Sequence, residues 1–308
     1  MAILAVGSIA FDTIKTPHGT KQRVLGGSVT HFSLAASFFT EVRVVGVVGS
    51  DFTAENEAVM SRHGVRTEGI QRAKGKTFYW SGEYGENLNE AKTHLTELNV
   101  FEHFKPLIPK EFLGSAVLFL ANIDPVLQRG VREQMPRVEL VGGDTMNFWI
   151  GGKRKELGET LKGIDILLIN DGEAKLLAAD ASLPRAASKI LGMGPKAVVI
   201  KHGEYGATLF FKEGAFGLES GHPFRAPALP IEEVFDPTGA GDSFAGGFMG
   251  YIASQPEITR DVLKRAMFYG GVMGSFAVER FGTERIQALT RDEIEDRFKV
   301  FQELTRLE

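Results

Sequence analysis

Residues 236–244 read DPTGAGDSF, a stretch that is typical of a turn leading directly into a helix. Pro237 restricts one backbone angle of the turn, and Gly239 and Gly241 permit conformations that other residues avoid. The start of a helix offers unpaired N–H groups and the positive end of its dipole, and both suit an anion. Asp242 places a carboxylate at the same point. Anion-binding amides beside a carboxylate suggest proton abstraction next to a phosphate group.

Composition restricts the class of protein. The 308 residues and the hydrophobic share of 43% are enough for one large α/β domain or for two smaller units. The net charge of −4 gives no overall basic surface, so we do not expect nucleic acid as a main partner. The absence of cysteine excludes disulfides, thiolate catalysis and cysteine metal sites.

The N-terminal residues carry no targeting signal that we recognise. Met1–Gly7 is apolar but has no basic segment, so it predicts a first core strand rather than a signal peptide. No apolar run in the sequence approaches the ~20 residues that a helix needs to span a bilayer. We therefore expect a cytoplasmic protein without a membrane partner.

Strand and helix patterns alternate along most of the chain. The β-branched run Val42–Val48 predicts a buried strand, while the small and apolar run Ser28–Phe39 predicts a helix, as does Arg291–Leu307 near the end. Such alternation is typical of parallel βαβ units. We therefore predict an α/β protein with a single domain over residues 1–308.

The segment Lys74–Leu98 interrupts this alternation with strand-like residues and polar turns. We predict that it belongs to a small β lid, formed by about residues 10–26 and 74–106. A late hairpin is predicted from Thr208–Phe211 and Ala215–Glu219.

The stretch 236–244 fits phosphoryl transfer, a chemistry that depends on positioning and charge stabilisation. The amides of Gly239, Ala240 and Gly241 would stabilise the charge on the transferred group. Asp242 would accept the proton of an attacking hydroxyl, a general-base role worth ~10²–10⁴ in rate. The plain structural alternative is a tight strand-to-helix connection in which Asp242 only complements the helix dipole. The complete string, with acids at positions 236 and 242, favours the catalytic interpretation.

The string from Asp236 to Asp242 resembles the C-terminal signature of the ribokinase family, also called the PfkB family of sugar and nucleoside kinases. The usual form of that signature is D-T/P-T-G-A-G-D, which these residues match in full. The resemblance implies a ribokinase-like three-layer α/β/α sandwich with a central, mostly parallel sheet and a small β-sheet lid. It also implies that Asp242 is the catalytic base and that Asp236 supports the catalytic loop.

Two N-terminal motifs extend the resemblance to the substrate side. Residues 7–12, GSIAFD, are similar to the family's first strand, whose acid binds substrate hydroxyls, and Asp12 matches that acid. Gly26 and Gly27 are similar to the glycine pair that contacts the sugar. His31 stands where ribokinases commonly carry Asn, which implies a bond to a substrate hydroxyl. The alternatives are a simple helix-entry turn for the glycines and a core or capping role for His31.

The sequence departs from the family pattern at further substrate-side positions. Ala10 stands where ribokinases often carry Asn, and Ser28 replaces a common Lys. Since such positions shape substrate choice, the departures bear on specificity and not on the reaction.

A motif on the nucleotide side resembles the family's N-x-x-E. Asn170 and Glu173 match it, and the resemblance implies that they organise Mg²⁺ and phosphate through water. The alternative is a helix cap, with Asn170 as the cap and Glu173 in the first turn.

Other residues resemble the family's ATP-binding positions. Lys201, Gly203 and Gly206 match the strand and turn K-x-G-x-x-G, for which a plain hairpin turn is the alternative. Thr238 belongs to the signature, and Gly282 lies where the family's C-terminal loop lines the adenine pocket. The resemblance spans residues 3 to about 285.

Other enzyme classes fit the sequence less well. Residues 241–245, GDSFA, approach the serine elbow of a hydrolase, but that fold needs a histidine after the serine, and the last histidine, His222, precedes Ser243. Residues 151–154, GGKR, lack the spacing and the Ser/Thr of a Walker A loop.

We therefore expect an ATP-dependent kinase for a primary hydroxyl of a nucleoside or ribose-like sugar, with Mg²⁺ and with a monovalent cation such as K⁺ left open. A phosphofructokinase-like phosphosugar kinase is the alternative enzyme, and a kinase-derived sugar- or nucleoside-binding regulatory protein is the non-enzyme alternative. Four lid aromatics would either pack along one strand face or stack on a base or sugar ring. They are Phe78, Tyr79, Trp80 and Tyr84. An exposed lid edge could also pair into a homodimer.

Overall fold

A computed structural model describes residues 1–217 and 222–306. The strands in these residues are β1 Ile3–Val6, β2 Ala10–Thr16, β3 Gly19–Gly26, β4 Val42–Val48, β5 Arg66–Arg72, β6 Phe78–Tyr84, β7 Ala91–Glu97, β8 Val117–Leu120, β9 Leu140–Gly143, β10 Ile166–Asn170, β11 Ala197–Lys201, β12 Ala207–Phe211 and β13 Phe224–Ala226. The helices are α1 Ser28–Ala36, α2 Ala54–Ser61, α3 Pro125–Gln134, α4 Asn147–Gly152, α5 Arg154–Leu161, α6 Asp171–Ala178, α7 Leu183–Gly192, α8 Ala240–Ser254, α9 Arg260–Ala277, α10 Glu284–Gln287 and α11 Arg291–Thr305.

A large sheet forms the centre of the molecule. In the described part of the chain it has nine strands in the order β13-β12-β11-β10-β9-β8-β1-β4-β5. All neighbours from β11 to β5 are parallel, and β12 and β13 add an antiparallel edge. Parallel neighbours need crossover connections, which explains the alternation of strands and helices in the sequence. The residues that follow β9, β10 and β11 therefore lie at one edge of the sheet.

Helices cover both faces of this sheet. Ile3 of β1 belongs to one hydrophobic core together with Phe248 of α8, and the next residue, Leu4, belongs to the other core together with Ile190 of α7. All four side chains are fully buried. Successive residues of a strand point to opposite faces, so a strand that is buried on both sides is apolar throughout. The protein is therefore the three-layer α/β/α sandwich that the family resemblance implied.

A second sheet has four strands in the order β3-β2-β6-β7. The hairpin of β2 and β3 pairs Ala10 with Gly26, and β6 joins it in parallel through β2. The edge strand β7 is exposed along its whole length, Ala91–Glu97. This sheet is drawn from the two stretches from which a lid was expected.

Helices α1 and α8 approach each other closely because α8 carries glycine at the contact. A Cβ at Gly246 would lie 2.8 Å from Cβ of Ala35, and one at Gly250 would lie 3.0 Å from Cα of Ala36. The N-caps of the two helices are Gly27 and Gly239. Close packing therefore brings two glycine-capped helix starts to the same end of the molecule.

Some predicted elements differ from the structure. The sequence does not predict β5, Arg66–Arg72, because its residues are mostly charged and polar at the edge of the large sheet. The strand predicted at Ala215–Glu219 is wrong for residues 215–217, which form a 3₁₀ turn, and its last two residues lie outside the described chain. The last helix ends at Thr305, and the predicted end at Leu307 also lies outside it.

No helix within residues 1–217 and 222–306 combines the length and the hydropathy that crossing a membrane requires.

Candidate active site

The turn before α8 presents backbone amides at the N-terminal end of this long, mostly buried helix. Gly239 caps the helix with φ +75° and ψ 0°, a left-handed conformation that favours glycine. The amide of Ala240 donates to the carbonyl oxygen of Pro237 at 3.2 Å, which closes the turn. Gly241 and Asp242 follow in the first helical turn, where amides have no partner inside a helix. The arrangement can bind an anion through these amides and the helix dipole.

Asp242 lies beside other ionisable side chains in this first turn. Burial and, next in size, the Asp144 carboxylate raise the pKa of its carboxyl to about 8, although the Lys201 ammonium opposes both effects. Glu173 and Asp12 also raise this pKa. Asp242 is therefore within electrostatic reach of predicted substrate-side and nucleotide-side residues. An aspartate with a raised pKa is a stronger base than an ordinary one.

Lys201 places an ammonium group at the end of β11, against the turn. Its Nζ donates to the carbonyl oxygen of Gly241 at 3.5 Å. Burial alone would lower the pKa of Lys201, but the carboxylates of Asp144, Glu173 and Asp242 together raise it above its usual value. The ammonium thus stays charged and is held among acids close to the anion-binding amides.

Asp144 is a member of this cluster that the sequence motifs miss. It follows β9, and only 7% of its surface is exposed. Its Oδ1 accepts a hydrogen bond from the amide of Thr145 at 2.8 Å, and burial raises its pKa despite the nearby Lys201. Only the strand order of the large sheet could have indicated that Asp144 lies near Lys201, because β9, β10 and β11 are adjacent parallel strands. Polar residues that follow such strands meet at one sheet edge, as Asp144 and Lys201 do.

Asn170 and Glu173 form a reciprocal helix cap at the start of α6. The amide of Glu173 donates to Oδ1 of Asn170, and the amide of Asn170 donates to Oε2 of Glu173, both at 2.8 Å. This is the capping arrangement raised as the structural alternative. Burial and, next in size, the Asp144 carboxylate raise the pKa of Glu173 to about 7. Glu173 therefore caps the helix and belongs to the charged cluster as well.

The predicted substrate-side residues lie together. Asp12 is 5% exposed, and its carboxylate lies so close to Gly26 that a Cβ there would overlap with it. Burial and, next in size, the Asp236 carboxylate raise the pKa of Asp12 to about 7, although the hydrogen bond from the Gly27 amide opposes the shift. Gly27 has φ +93°, and a Cβ on it would lie 2.8 Å from the amide nitrogen of Ala10. The glycine pair therefore lets the start of α1 approach β2 and its acid.

His31 lies on α1 with its imidazole ring against Gly239, where it leaves no room for a Cβ. It connects the substrate side to the anion-binding turn.

Asp236 is a structural support of the turn. It is fully buried, and its Oδ1 accepts the amide of Thr238 at 2.9 Å while its Oδ2 accepts the amide of Gly282 at 2.8 Å. Burial raises the pKa of Asp236 despite these bonds. The carboxyl group joins the turn to the C-terminal loop.

The remaining predicted nucleotide-binding residues occupy tight turns. Gly203 and Gly206 have φ +57° and +93° in the connection from β11 to β12. The side chain of Asn89 lies against Gly203, and a Cβ at Gly206 would lie 2.7 Å from the carbonyl carbon of Pro227. Gly282 has φ +57°, and a Cβ there would lie 3.2 Å from the Val24 side chain in β3. Gly282 thus lies next to the second sheet as well as to Asp236.

Comparison with known proteins gives a match to part of the chain at the family level. A family model described as pfkB family carbohydrate kinase matches residues 143–289. This range contains Asp144, the Asn170–Glu173 motif, Lys201 and the stretch 236–244.

Individual proteins match over most of the chain. A cytidine kinase of Thermococcus kodakarensis is 29% identical over 279 residues, which cover 85% of this chain and 96% of that protein. The nucleoside kinase of Methanocaldococcus jannaschii, an archaeal member of the ribokinase family, has a TM-score of 0.74 at 18% identity, covering 97% of this chain and 98% of that one. The nucleoside kinase of Burkholderia thailandensis in complex with ADP-inosine has a TM-score of 0.76 at 20% identity, covering 97% and 95%.

The match of residues 143–289 and the similarity to a cytidine kinase support phosphotransferase activity with an alcohol group as acceptor. Residues 143–289 match the pfkB carbohydrate kinase family, and the whole chain has the fold of the ribokinase-family structures compared above.

Proposed function

We propose that the protein is an ATP-dependent kinase that phosphorylates a primary hydroxyl of a nucleoside or ribose-like sugar. The position of Asp242 carries this proposal. Its carboxyl group adjoins the anion-binding turn and interacts with Asp12 on the substrate side and with Lys201 on the nucleotide side. A base between an acceptor site and a phosphate site has the arrangement that phosphoryl transfer requires.

In the proposed reaction Asp242 accepts the proton of the acceptor hydroxyl. The hydroxyl oxygen forms a bond to the γ-phosphorus of ATP, the bond from that phosphorus to the β,γ-bridging oxygen breaks, and ADP leaves with the electron pair. The amides of the turn Gly239–Gly241 and the Lys201 ammonium balance the charge that develops on the transferred group. Asp236 keeps the turn in place through Thr238.

The acceptor is proposed to be a nucleoside before a free sugar. The relative with 29% identity is a cytidine kinase, and the two solved structures above are nucleoside kinases. Asp12, His31 and the glycine pair Gly26-Gly27 would bind the ribose hydroxyls, since they lie together beside the base. The second sheet, β3-β2-β6-β7, would act as the lid over this acceptor and limit hydrolysis of ATP by water.

The charged cluster fits a magnesium ion that is bound together with ATP. Glu173 and Asp144 supply carboxylate oxygens, the ligands that Mg²⁺ prefers, and Mg²⁺ is usually held by one or two carboxylates plus phosphate oxygens. Among the described residues no group of three or more His, Cys, Asp or Glu is arranged to hold a metal ion. When bound, the ion would neutralise charge on the ATP phosphates. Glu173 would act on it through water.

The test is a panel of acceptors with ATP and Mg²⁺, with and without K⁺, followed by release of ADP. We expect turnover with nucleosides and a loss of about 10²–10⁴ in kcat for Asp242→Asn, with ATP binding retained. Turnover with phosphosugars alone would contradict the choice of acceptor. Nucleoside binding by calorimetry without any ADP release would instead indicate a regulatory binding protein.

A homodimer is the accompanying proposal. The edge strand β7 is exposed throughout, and its unpaired backbone groups can pair with a second copy. We expect sedimentation velocity to show a dimer for the wild type and a monomer for Thr93→Pro. A wild-type monomer at all concentrations would contradict the proposed dimer.

A further inference from the structure

A side chain from the second sheet reaches the anion-binding turn. Tyr84 is the last residue of β6, and its hydroxyl oxygen accepts a hydrogen bond from Oγ1 of Thr238 at 3.2 Å. The two residues are separated by 154 positions in the chain, and the bond joins the second sheet directly to the turn before α8. The sequence motifs assign Tyr84 no role beyond that of a lid aromatic.

The partner of Tyr84 belongs to the support of the turn. The amide of Thr238 donates to Oδ1 of Asp236, whose other oxygen accepts the amide of Gly282. A hydroxyl bonded to Thr238 is therefore bonded to a buried network that fixes the residues just before Gly239. Displacement of Tyr84 would remove the hydrogen bond that the Thr238 side chain makes in this network.

The Tyr84 hydroxyl lies near the carboxylates of the candidate active site. Burial and, to a lesser extent, the carboxylates of Asp236, Asp12 and Asp242 raise the pKa of Tyr84 to about 12, although the bond from Thr238 opposes the shift. The hydroxyl therefore keeps its proton at neutral pH and lies within electrostatic reach of the base.

The chain after Tyr84 continues across the site. The side chain of Asn89 lies against Gly203 in the connection from β11 to β12 and leaves no room for a Cβ there. Residues 84–89 thus contact both the turn before α8 and the turn after Lys201. We call residues 84–89 the strap.

We propose that Tyr84 is a positioning residue for phosphoryl transfer, which acts through Thr238 to hold the anion-binding turn when the strap covers the site. The proposal rests on the kinase function proposed above. Because the bond is made to the turn and not to the acceptor, its loss should lower kcat and leave the KM for the acceptor nearly unchanged.

The experiment compares Tyr84→Phe with Tyr79→Phe. Tyr79 lies on the same strand, and in the described residues its hydroxyl makes no hydrogen bond, so its variant controls for removal of a phenolic oxygen. We expect kcat to fall about tenfold in Tyr84→Phe, the effect of one lost hydrogen bond, with the acceptor KM changed less than about twofold. Tyr79→Phe should match the wild type. Equal kcat values for the two variants would overturn the proposal.

A double-mutant cycle with Thr238→Val tests the route of the effect. If Tyr84 acts through Thr238, the double variant should be no slower than the slower single variant. Multiplication of the two single effects would mean that Tyr84 acts elsewhere and would also overturn the proposal.

Hydrogen exchange separates this inference from the proposed function. The amides of residues 238–242 should exchange about tenfold faster in Tyr84→Phe than in Tyr79→Phe, whether or not an acceptor is known. A wild-type protein that turns over no acceptor would contradict the kinase function, whereas equal exchange in the two variants would contradict the role of Tyr84.

Discussion

The imidazole ring of His31 packs directly against Gly239, the residue that caps helix α8. His31 is 2% exposed, and neither ring nitrogen finds a hydrogen-bond partner among residues 1–217 and 222–306. Burial lowers the pKa of His31 to about 4, so the ring is neutral near pH 7 and carries one donor and one acceptor. Two unsatisfied ring nitrogens beside the anion-binding turn are available to a bound ligand.

Replacement of His31 should separate ligand binding from stability. For His31→Leu we expect the acceptor KM to rise about tenfold, the cost of a lost hydrogen bond, while the free energy of unfolding stays equal or increases because two buried unpaired nitrogens are removed. Steady-state kinetics and urea unfolding measure the two quantities. Thr30→Val is the control, because it removes another buried unpaired polar atom from α1 and should leave KM unchanged. An unchanged KM in His31→Leu would show that the histidine is only part of the core.

Gly239→Ala should disrupt the turn itself. A Cβ at this position meets the His31 ring, and φ +75° is strained for alanine, so we expect a loss of stability of about 1–3 kcal/mol and a fall in kcat of more than about tenfold. The matched control is Gly158→Ala in helix α5, where no atom lies within 4 Å of the added Cβ. That variant should be as stable as the wild type or more so. Similar losses in both variants would contradict the importance of the turn.

The sequence was most informative where local chemistry dictates structure. Val42–Val48 forms a strand with the predicted bounds, because β-branched residues buried on both faces leave no amphipathic alternative. The glycine pair Gly26-Gly27 and the turn at Gly239 need conformations or close approaches that only glycine permits. These glycines therefore indicate two helix starts from the sequence alone.

The sequence was least informative about contacts between distant segments. Asp144 follows an ordinary short strand, and only the order of the sheet brings it to Lys201. The bond between Tyr84 and Thr238 depends on how the second sheet lies against the turn before α8, which no local pattern encodes. The roles of the motif residues also remain predictions, since position alone does not show catalysis.

Asp144 and Lys201 should shift the pH dependence of the reaction in opposite directions. The Asp144 carboxylate raises the pKa of Asp242, and the Lys201 ammonium lowers it. In Asp144→Asn the acid limb of the profile of kcat/KM should therefore move to lower pH by ~1 unit, and in Lys201→Met it should move to higher pH by a similar amount. The measurement is kcat/KM from pH 5 to pH 9 with one acceptor. Shifts of the same sign, or no shift in either variant, would exclude Asp242 as the titrating base of this cluster.

Stability should fall as the pH rises from 6.5 to 8. Burial raises the pKa of Asp12 and Glu173 to about 7 and that of Asp242 to about 8, so the folded protein keeps protons that the unfolded chain has already lost. The stability that these groups contribute is complete below their unfolded pKa values and disappears as the pH passes through the folded ones. Below pH 6.5 the lowered pKa of His31 acts in the opposite sense, because the unfolded chain then binds the extra proton. We expect the free energy of unfolding to decrease by about 1–2 kcal/mol between pH 6.5 and pH 8, with allowance for solvent screening at the partly exposed Glu173 and Asp242. Urea unfolding at both pH values measures it, and Asp242→Asn should flatten the dependence. A wild-type stability that rises over this range would mean that the three carboxyl groups are ionised in the folded protein.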